Sequence, residues 1–169
     1  MCIRDRRYTT NHDVNGSDGT PLDLFGGRKG SMAAFVVTAC MKGVPMVYNG
    51  QEVGTPFRIV FPFTSRKIDW TLNPDILAEY KKILLFRSTS AALRYGQLSS
   101  YGNVDICAFT KELAGENVLV VSNLRNNVVN FALPSPLQNT TWTNAMTGES
   151  VTLTTTLVLQ PYSYLIAKQ

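Results

Sequence analysis

Charge is scarce in this sequence. Only 17% of its 169 residues are Asp, Glu, Lys or Arg, whereas 44% are hydrophobic, a balance that excludes an intrinsically disordered chain. Long apolar runs are lacking too. The longest, residues 31–41, ends at Lys42 after 11 residues, well short of the roughly 20 that a membrane span needs. Cysteine is rare: the three residues at positions 2, 40 and 107 are odd in number and far apart, which excludes a disulfide framework or a cysteine metal cluster. Histidine occurs once, at position 12. No apolar stretch of signal-peptide type succeeds the N-terminal arginines.

The net charge of +4 comes from 16 Lys+Arg and 12 Asp+Glu. Residues 1–7 hold three Arg and one Asp, or +2, so the other 162 residues carry only +2. No basic stripe with interleaved aromatics emerges, and a nucleic-acid partner has no support. Residues 1–6 differ in texture from the rest of the chain and read as a non-native leader.

The chain has two textures. Residues 7–91 read strand, helix, strand, helix, the grammar of a parallel α/β arrangement. A strand is expected over 7–10 and a loop rich in Gly, Asp and Pro over 14–30. Ser31 is expected to cap a helix over 31–42 that is apolar on nearly all sides, with Gly43 and Pro45 as stop signals. A second strand is expected over 45–48. Asn73 then serves as N-cap and Pro74 as first residue of a helix to residue 88, with Ile76, Tyr80, Ile83 and Leu84 on one stripe. From residue 92 the chain reads as all-β. Strands are expected over 104–111, 118–123, 128–133, 140–144, 151–153 and 162–167, separated by Gly, Asn and Pro turns. They suit a small antiparallel sandwich. Two βα units do not close a fold, and a (β/α)8 barrel needs about 250 residues. The first part is therefore the tail of a barrel or a small open sheet.

Four segments bear on that choice. Tyr8-Thr9-Thr10-Asn11-His12-Asp13 resembles the strand-seven motif of the α-amylase family of glycoside hydrolases. Gly43-Val44-Pro45-Met46-Val47-Tyr48-Asn49-Gly50-Gln51-Glu52 resembles its strand-eight motif. Lys67-Ile68-Asp69-Trp70 is similar to the segment leading into the last barrel helix, and residues 161–166 to the last strand of the C-terminal β-domain. The resemblance runs in order from Arg7 to the C-terminus. It implies a truncated (β/α)8 TIM barrel reduced to its last two βα units, residues 7–91, followed by a β-sandwich, residues 92–169. It also implies a retaining enzyme acting on α-1,4-linked glucans such as starch or maltodextrin. The family's nucleophile and acid/base, carried on strands four and five, have no counterpart motif here, so the chain alone is expected to be inactive.

Under that resemblance Asp13 is the transition-state stabiliser, accepting hydrogen bonds from two sugar hydroxyls that strengthen as the ring flattens. His12 binds the same sugar as a donor. Asn11 is expected to be structural, and Asn15 to sit in a solvated turn. Glu52 would complete a carboxylate pair with Asp13, but the family reading makes it a loop support. Tyr48 and Trp70 are expected to pack rather than to face sugar. Asp13, Asn15 and Ser17 imitate a calcium loop, yet Asp18 and Leu24 stand where Gly and Glu belong. No cofactor or metal is thus expected in this chain, calcium being left to a longer parent. The expected partner is an oligo- or polysaccharide, with self-association through an open barrel edge. The family offers extracellular, periplasmic or cell-surface locations for a parent. Rival readings are a transglycosylase on sucrose or trehalose and a non-catalytic carbohydrate-binding or interaction module. As a folded object, residues 92–169 are expected to be the stable part, with the 31–42 helix short of partners.

Overall fold

The structure is a computed structural model that describes residues 5–63 and 66–169. The expected leader falls mostly outside these, and its last residues join the fold. Strand β1 (Arg6–Arg7) pairs in parallel with β2 (Val44–Pro45), and Val44 N donates to Asp5 O at 2.8 Å. Both strands are two residues long, shorter than the four-residue strands expected over 7–10 and 45–48.

The expected loop between them is largely helical. Helix α1 (His12–Ser17) begins where Asn11 Oδ1 accepts from Val14 N at 2.9 Å, an N-cap. Helix α2 (Pro21–Leu24) begins at a reciprocal capping box, in which Thr20 and Asp23 each accept from the other's backbone and Pro21 takes the first turn. The two Thr20 donors hold the Asp23 carboxyl below its ordinary range, the backbone bond more than the hydroxyl. Helix α3 (Gly27–Cys40) starts four residues before Ser31, after Gly26 turns the chain in the left-handed region at φ 76°. Ser31 is therefore buried inside the helix and not its cap. The first turn carries Arg28 and Lys29, charges unfavourable at a helix N-terminus, which conceals this start from a sequence reading.

Helix α4 (Pro74–Thr89) has Pro74 at its first position as expected. Asn73 sits at the cap position, but its side chain instead donates to Val53 O at 2.9 Å. A short helix, α5 (Ala91–Tyr95), lies across the position where the all-β part was expected to begin. Ser90 Oγ caps it by accepting from Leu93 N, and Glu116 reaches over to accept from Ser90 Oγ at 2.6 Å and Ala92 N at 2.9 Å.

Eight strands complete the chain: β3 (Gln97–Ser100), β4 (Ile106–Leu113), β5 (Glu116–Asn123), β6 (Val129–Ala132), β7 (Thr140–Asn144), β8 (Ser150–Leu153), β9 (Thr156–Leu159) and β10 (Tyr164–Lys168). Strands β3 and β9 were not anticipated. The β4–β5 hairpin closes over Ala114 (φ 51°) and Gly115 (φ 84°), both left-handed. A two-residue turn of that kind matches the twist of its strands, so β4 runs on to Leu113 and β5 starts at Glu116. An antiparallel sheet in the order β3-β4-β5-β10-β7-β8 faces the two-stranded β6-β9. Between them Leu119, Val121, Phe131, Trp142, Leu153 and Leu165 form one core, the expected sandwich.

The other face of the six-stranded sheet is covered by helices. Phe109, Val118, Val120 and Ile166 share a second core with Phe35, Val36 and Cys40 of α3, with Tyr80 and Ile83 of α4 and with Leu93 of α5. The Phe35 and Tyr80 rings stack at 4.0 Å, and Ser122 Oγ of β5 donates to Ala33 O of α3 at 3.0 Å. The expectation that α3 lacks partners is thereby corrected, because its apolar surface is buried on the β-domain. Two cations lie at this seam: Arg87 Nη1 and Lys111 Nζ both donate to Leu93 O, Arg87 at 2.8 Å. Burial, then the neighbouring Arg87, pushes the Lys111 ammonium down to about 8, and burial pushes the Cys40 thiol up to about 12.

Candidate functional site

The residues singled out in sequence gather beyond the C-terminal end of β1. Thr9 and Thr10 are buried after the strand, and the Asn11 cap turns the chain so that His12 and Asp13 open α1. Both project into solvent, with side chains 68% and 79% exposed, and His12 Nε2 lies 3.3 Å from Asp13 Oδ1. An exposed carboxylate beside an imidazole can accept from hydroxyls and donate to them at one place.

The segment after β2 is anchored to this corner by groups that sequence reasoning passed over. Gln51, buried in a 3-10 turn at Gln51–Val53, donates from Nε2 to Thr9 Oγ1 at 2.7 Å and to Tyr80 Oη at 3.0 Å; its Oε1 accepts from Tyr48 N at 3.2 Å. One amide thus ties the end of β1, the end of β2 and α4 together. Its neighbour Glu52, expected to support this loop, has Oε2 buried without a hydrogen-bond partner among the described residues. Asn15 is not in a solvated turn: it is buried, and its Oδ1 accepts from Ile59 N at 2.7 Å. Arg58 donates to Ser17 O and Asp18 O at 3.0 and 3.2 Å, satisfying carbonyls at the end of α1. The loop after the 3-10 turn is therefore fastened to the C-terminal half of α1.

Between α1 and this loop lies a groove of about 860 Å³, lined by His12, Tyr48, Phe63, Arg66, Lys67 and Trp70 among others. Trp70, expected to pack, is 53% exposed on its wall. Tyr48 is half-buried, which agrees with a packing role in part. Asp69 accepts at Oδ1 from Thr71 N at 2.9 Å and from Thr71 Oγ1 at 2.6 Å, and these bonds hold its carboxyl below the ordinary range, the hydroxyl bond foremost. That turn fixes the backbone on both sides of Trp70. Among the described residues no three His, Cys, Asp or Glu side chains converge on a cation site, and no helix is long and apolar enough to cross a membrane.

Comparisons with known proteins bear on the fold. Residues 97–166 match the family model of the maltogenic amylase C-terminal domain. No curated protein matches the chain by sequence. Solved structures do match. An α-amylase of Anoxybacillus superposes with a TM-score of 0.76 at 16% identity, over 96% of this chain and 37% of that one. An α-amylase from Geobacillus thermoleovorans, in complex with acarbose, gives 0.72 at 18% identity, over 96% and 38%. A cyclic α-maltosyl-(1→6)-maltose hydrolase from Arthrobacter globiformis gives 0.71 at 19% identity, over 97% and 35%. At these identities the likeness is one of fold, and the chain spans little more than a third of the length of each.

Proposed function

We propose that this chain, which carries a maltogenic amylase C-terminal domain at residues 97–166 and shares its fold with α-amylase-family glycoside hydrolases, is the C-terminal portion of a retaining enzyme acting on α-1,4-linked glucans. In this reading residues 7–91 are the last two βα units of the catalytic barrel and residues 92–169 its β-domain. Asp13 stabilises the transition state and His12 binds the same sugar. The nucleophile and the general acid come from outside this chain.

The observation that carries the reading is the placement of His12-Asp13. They follow the end of a strand that pairs in parallel with the next one by a short segment, Tyr8 to Asn11, on the C-terminal side of that strand, the side on which barrel enzymes build their sites. A groove with polar and aromatic walls opens beside them. Chemically, the Asp13 carboxylate can accept from two adjacent hydroxyls, and its charge favours the cationic, flattened ring of an oxocarbenium-like state over the ground state. His12, in its neutral form, donates one hydrogen bond to the same ring.

Two measurements test this. The chain alone should release no reducing ends from soluble starch. In a longer protein that includes the chain, Asp13→Asn should lower turnover by roughly two to three orders of magnitude while leaving the melting temperature in place, because the side chain is largely exposed. Near-normal turnover of that variant would remove Asp13 from its assigned role. Hydrolysis by the isolated chain, abolished by Asp13→Ala, would transfer attention to Glu52.

A further inference from the structure

We propose that Trp70 and Phe63 form a preformed stacking platform for the sugar rings of an α-glucan in the groove beside His12, with Arg66 and Lys67 as donors to its hydroxyls. The inference deepens the reading above and rests on it.

Tryptophan is usually well buried, and the chain's other tryptophan, Trp142, is only 3% exposed. Trp70 is 53% exposed and Phe63 52%. Large aromatic faces left in water on the wall of a groove mark a binding surface. The chemistry of the remaining lining selects the occupant. Arg66, Lys67 and His12 share the groove with the two rings, so apolar faces alternate with hydrogen-bond donors. A pyranose has the matching character: an apolar C–H face and a rim of hydroxyls. A purely apolar partner helix would bury the Lys67 ammonium and the guanidinium of Arg66, which lies over the Phe57 ring, without giving their N–H groups an acceptor.

The Trp70 side of the platform is held in place before anything binds. Trp70 lies inside the turn locked by Asp69 and Thr71, and the opposite wall is fixed to α1 through Asn15 and Arg58. At Trp70 little backbone freedom remains to be lost on binding, which favours affinity for a flexible oligosaccharide.

The chain's two tryptophans make a direct assay available. Trp142 is shielded, so a change in emission on adding maltoheptaose reports on Trp70. Wild type should show a saturable blue shift and should be retarded in gels containing soluble starch. Trp70→Ala should weaken retardation roughly tenfold or more, as expected on truncating an aromatic anchor of a binding surface. Trp70→Phe should restore most of it, and both variants should melt as wild type does. Phe63→Ala should weaken retardation as well. Undiminished retardation of Trp70→Ala would overturn the platform while leaving the glucan reading standing. That reading is judged separately by the turnover of Asp13→Asn in the longer protein. Absence of retardation and of any spectral change in wild type would overturn the platform outright. Equal binding of a β-linked glucan would overturn its α-glucan assignment. A blue shift that tracks protein concentration without sugar would make a second copy of the chain the occupant and would overturn the proposal too.

Discussion

Replacing Phe35 by Ala tests whether the helices and the β-domain are one cooperative object. Phe35 is 1% exposed, stacks on Tyr80 at 4.0 Å, and belongs to the core that α3 and α4 share with Phe109, Val120 and Ile166 of the sheet. Truncating a fully buried phenylalanine costs about 3–5 kcal/mol, transfer and cavity together. The stacked pair places Phe35 towards the upper end, since such pairs are worth about 0.5–1.5 kcal/mol beyond their buried area. For a protein of this size each kcal/mol lowers the melting temperature by about 2–4 °C, so a fall of roughly 6–20 °C is expected.

The informative quantity is which signals move. Helix content at 222 nm reports mainly on α3 and α4. In a Trp70→Phe background, tryptophan emission comes from Trp142, which is buried in the core on the far face of the sheet. If the six-stranded sheet welds the two cores together, both signals should shift to the same lower urea midpoint with unchanged slope. A drop in the helix midpoint while Trp142 unfolds where it did before would show two independently unfolding layers. It would refute the argument that burial on the β-domain stabilises α3.

Gln51→Ala removes the donor to Thr9 and Tyr80 and the acceptor for Tyr48 N, leaving buried hydroxyls unpaired; a loss of about 2–4 kcal/mol is expected in urea unfolding, and a loss within error would mean water replaces the amide freely. Gly30→Ala places a Cβ 1.6 Å from Phe25 O, whereas Gly16→Ala meets nothing within 4 Å. The first should cost at least the upper part of the range of about 1–3 kcal/mol for overpacking, and the second should be neutral or slightly stabilising; equal melting temperatures would contradict the close approach of α2 to α3. Lys111 has its ammonium pushed from 10.5 to about 8. Below pH 8 both folded and unfolded states carry the proton and the penalty of burying the charge is complete. Between about 8 and 10.5 the unfolded chain holds a proton that the folded one has released, so stability should rise with pH relative to Lys111→Met; parallel profiles from pH 7 to 9.5 would show that Lys111 is not strained by burial.

Much of this was legible in the sequence, and the rest escaped for identifiable causes. Strand β7 occupies its expected residues, 140–144, because a Thr- and Trp-rich run flanked by turn residues leaves little choice. Pro74 marked the start of α4 because its fixed φ suits a first turn. The corner at His12 and Asp13 was legible through its motif. The groove wall was not, since Gln51, Asn15 and Arg58 act through contacts 40 or more residues away in sequence, and no local pattern encodes those. Helices α1 and α2 escaped because each is short and has its Gly- and Asp-containing segment in common with ordinary loops. Their caps, Asn11 and the Thr20–Asp23 pair, were the available signal.

The placement of α3 was encoded in a different element. Its near-complete apolarity says that it is buried, not against what, and a barrel or a sheet would serve equally. The deciding information lies in β5. An antiparallel strand with one face in water alternates apolar and polar residues, but Val118-Leu119-Val120-Val121 does not alternate, and all four are buried. Such a run requires a layer on each side. Leu119 and Val121 meet the β6-β9 sheet, whereas Val118 and Val120 meet the helices. Ser122 continues the helical side, and its hydroxyl, which would be costly to bury unpaired, is satisfied by Ala33 O of α3. The two-sided strand and the all-round apolar helix are thus complementary, and in this fold each covers the apolar face the other presents.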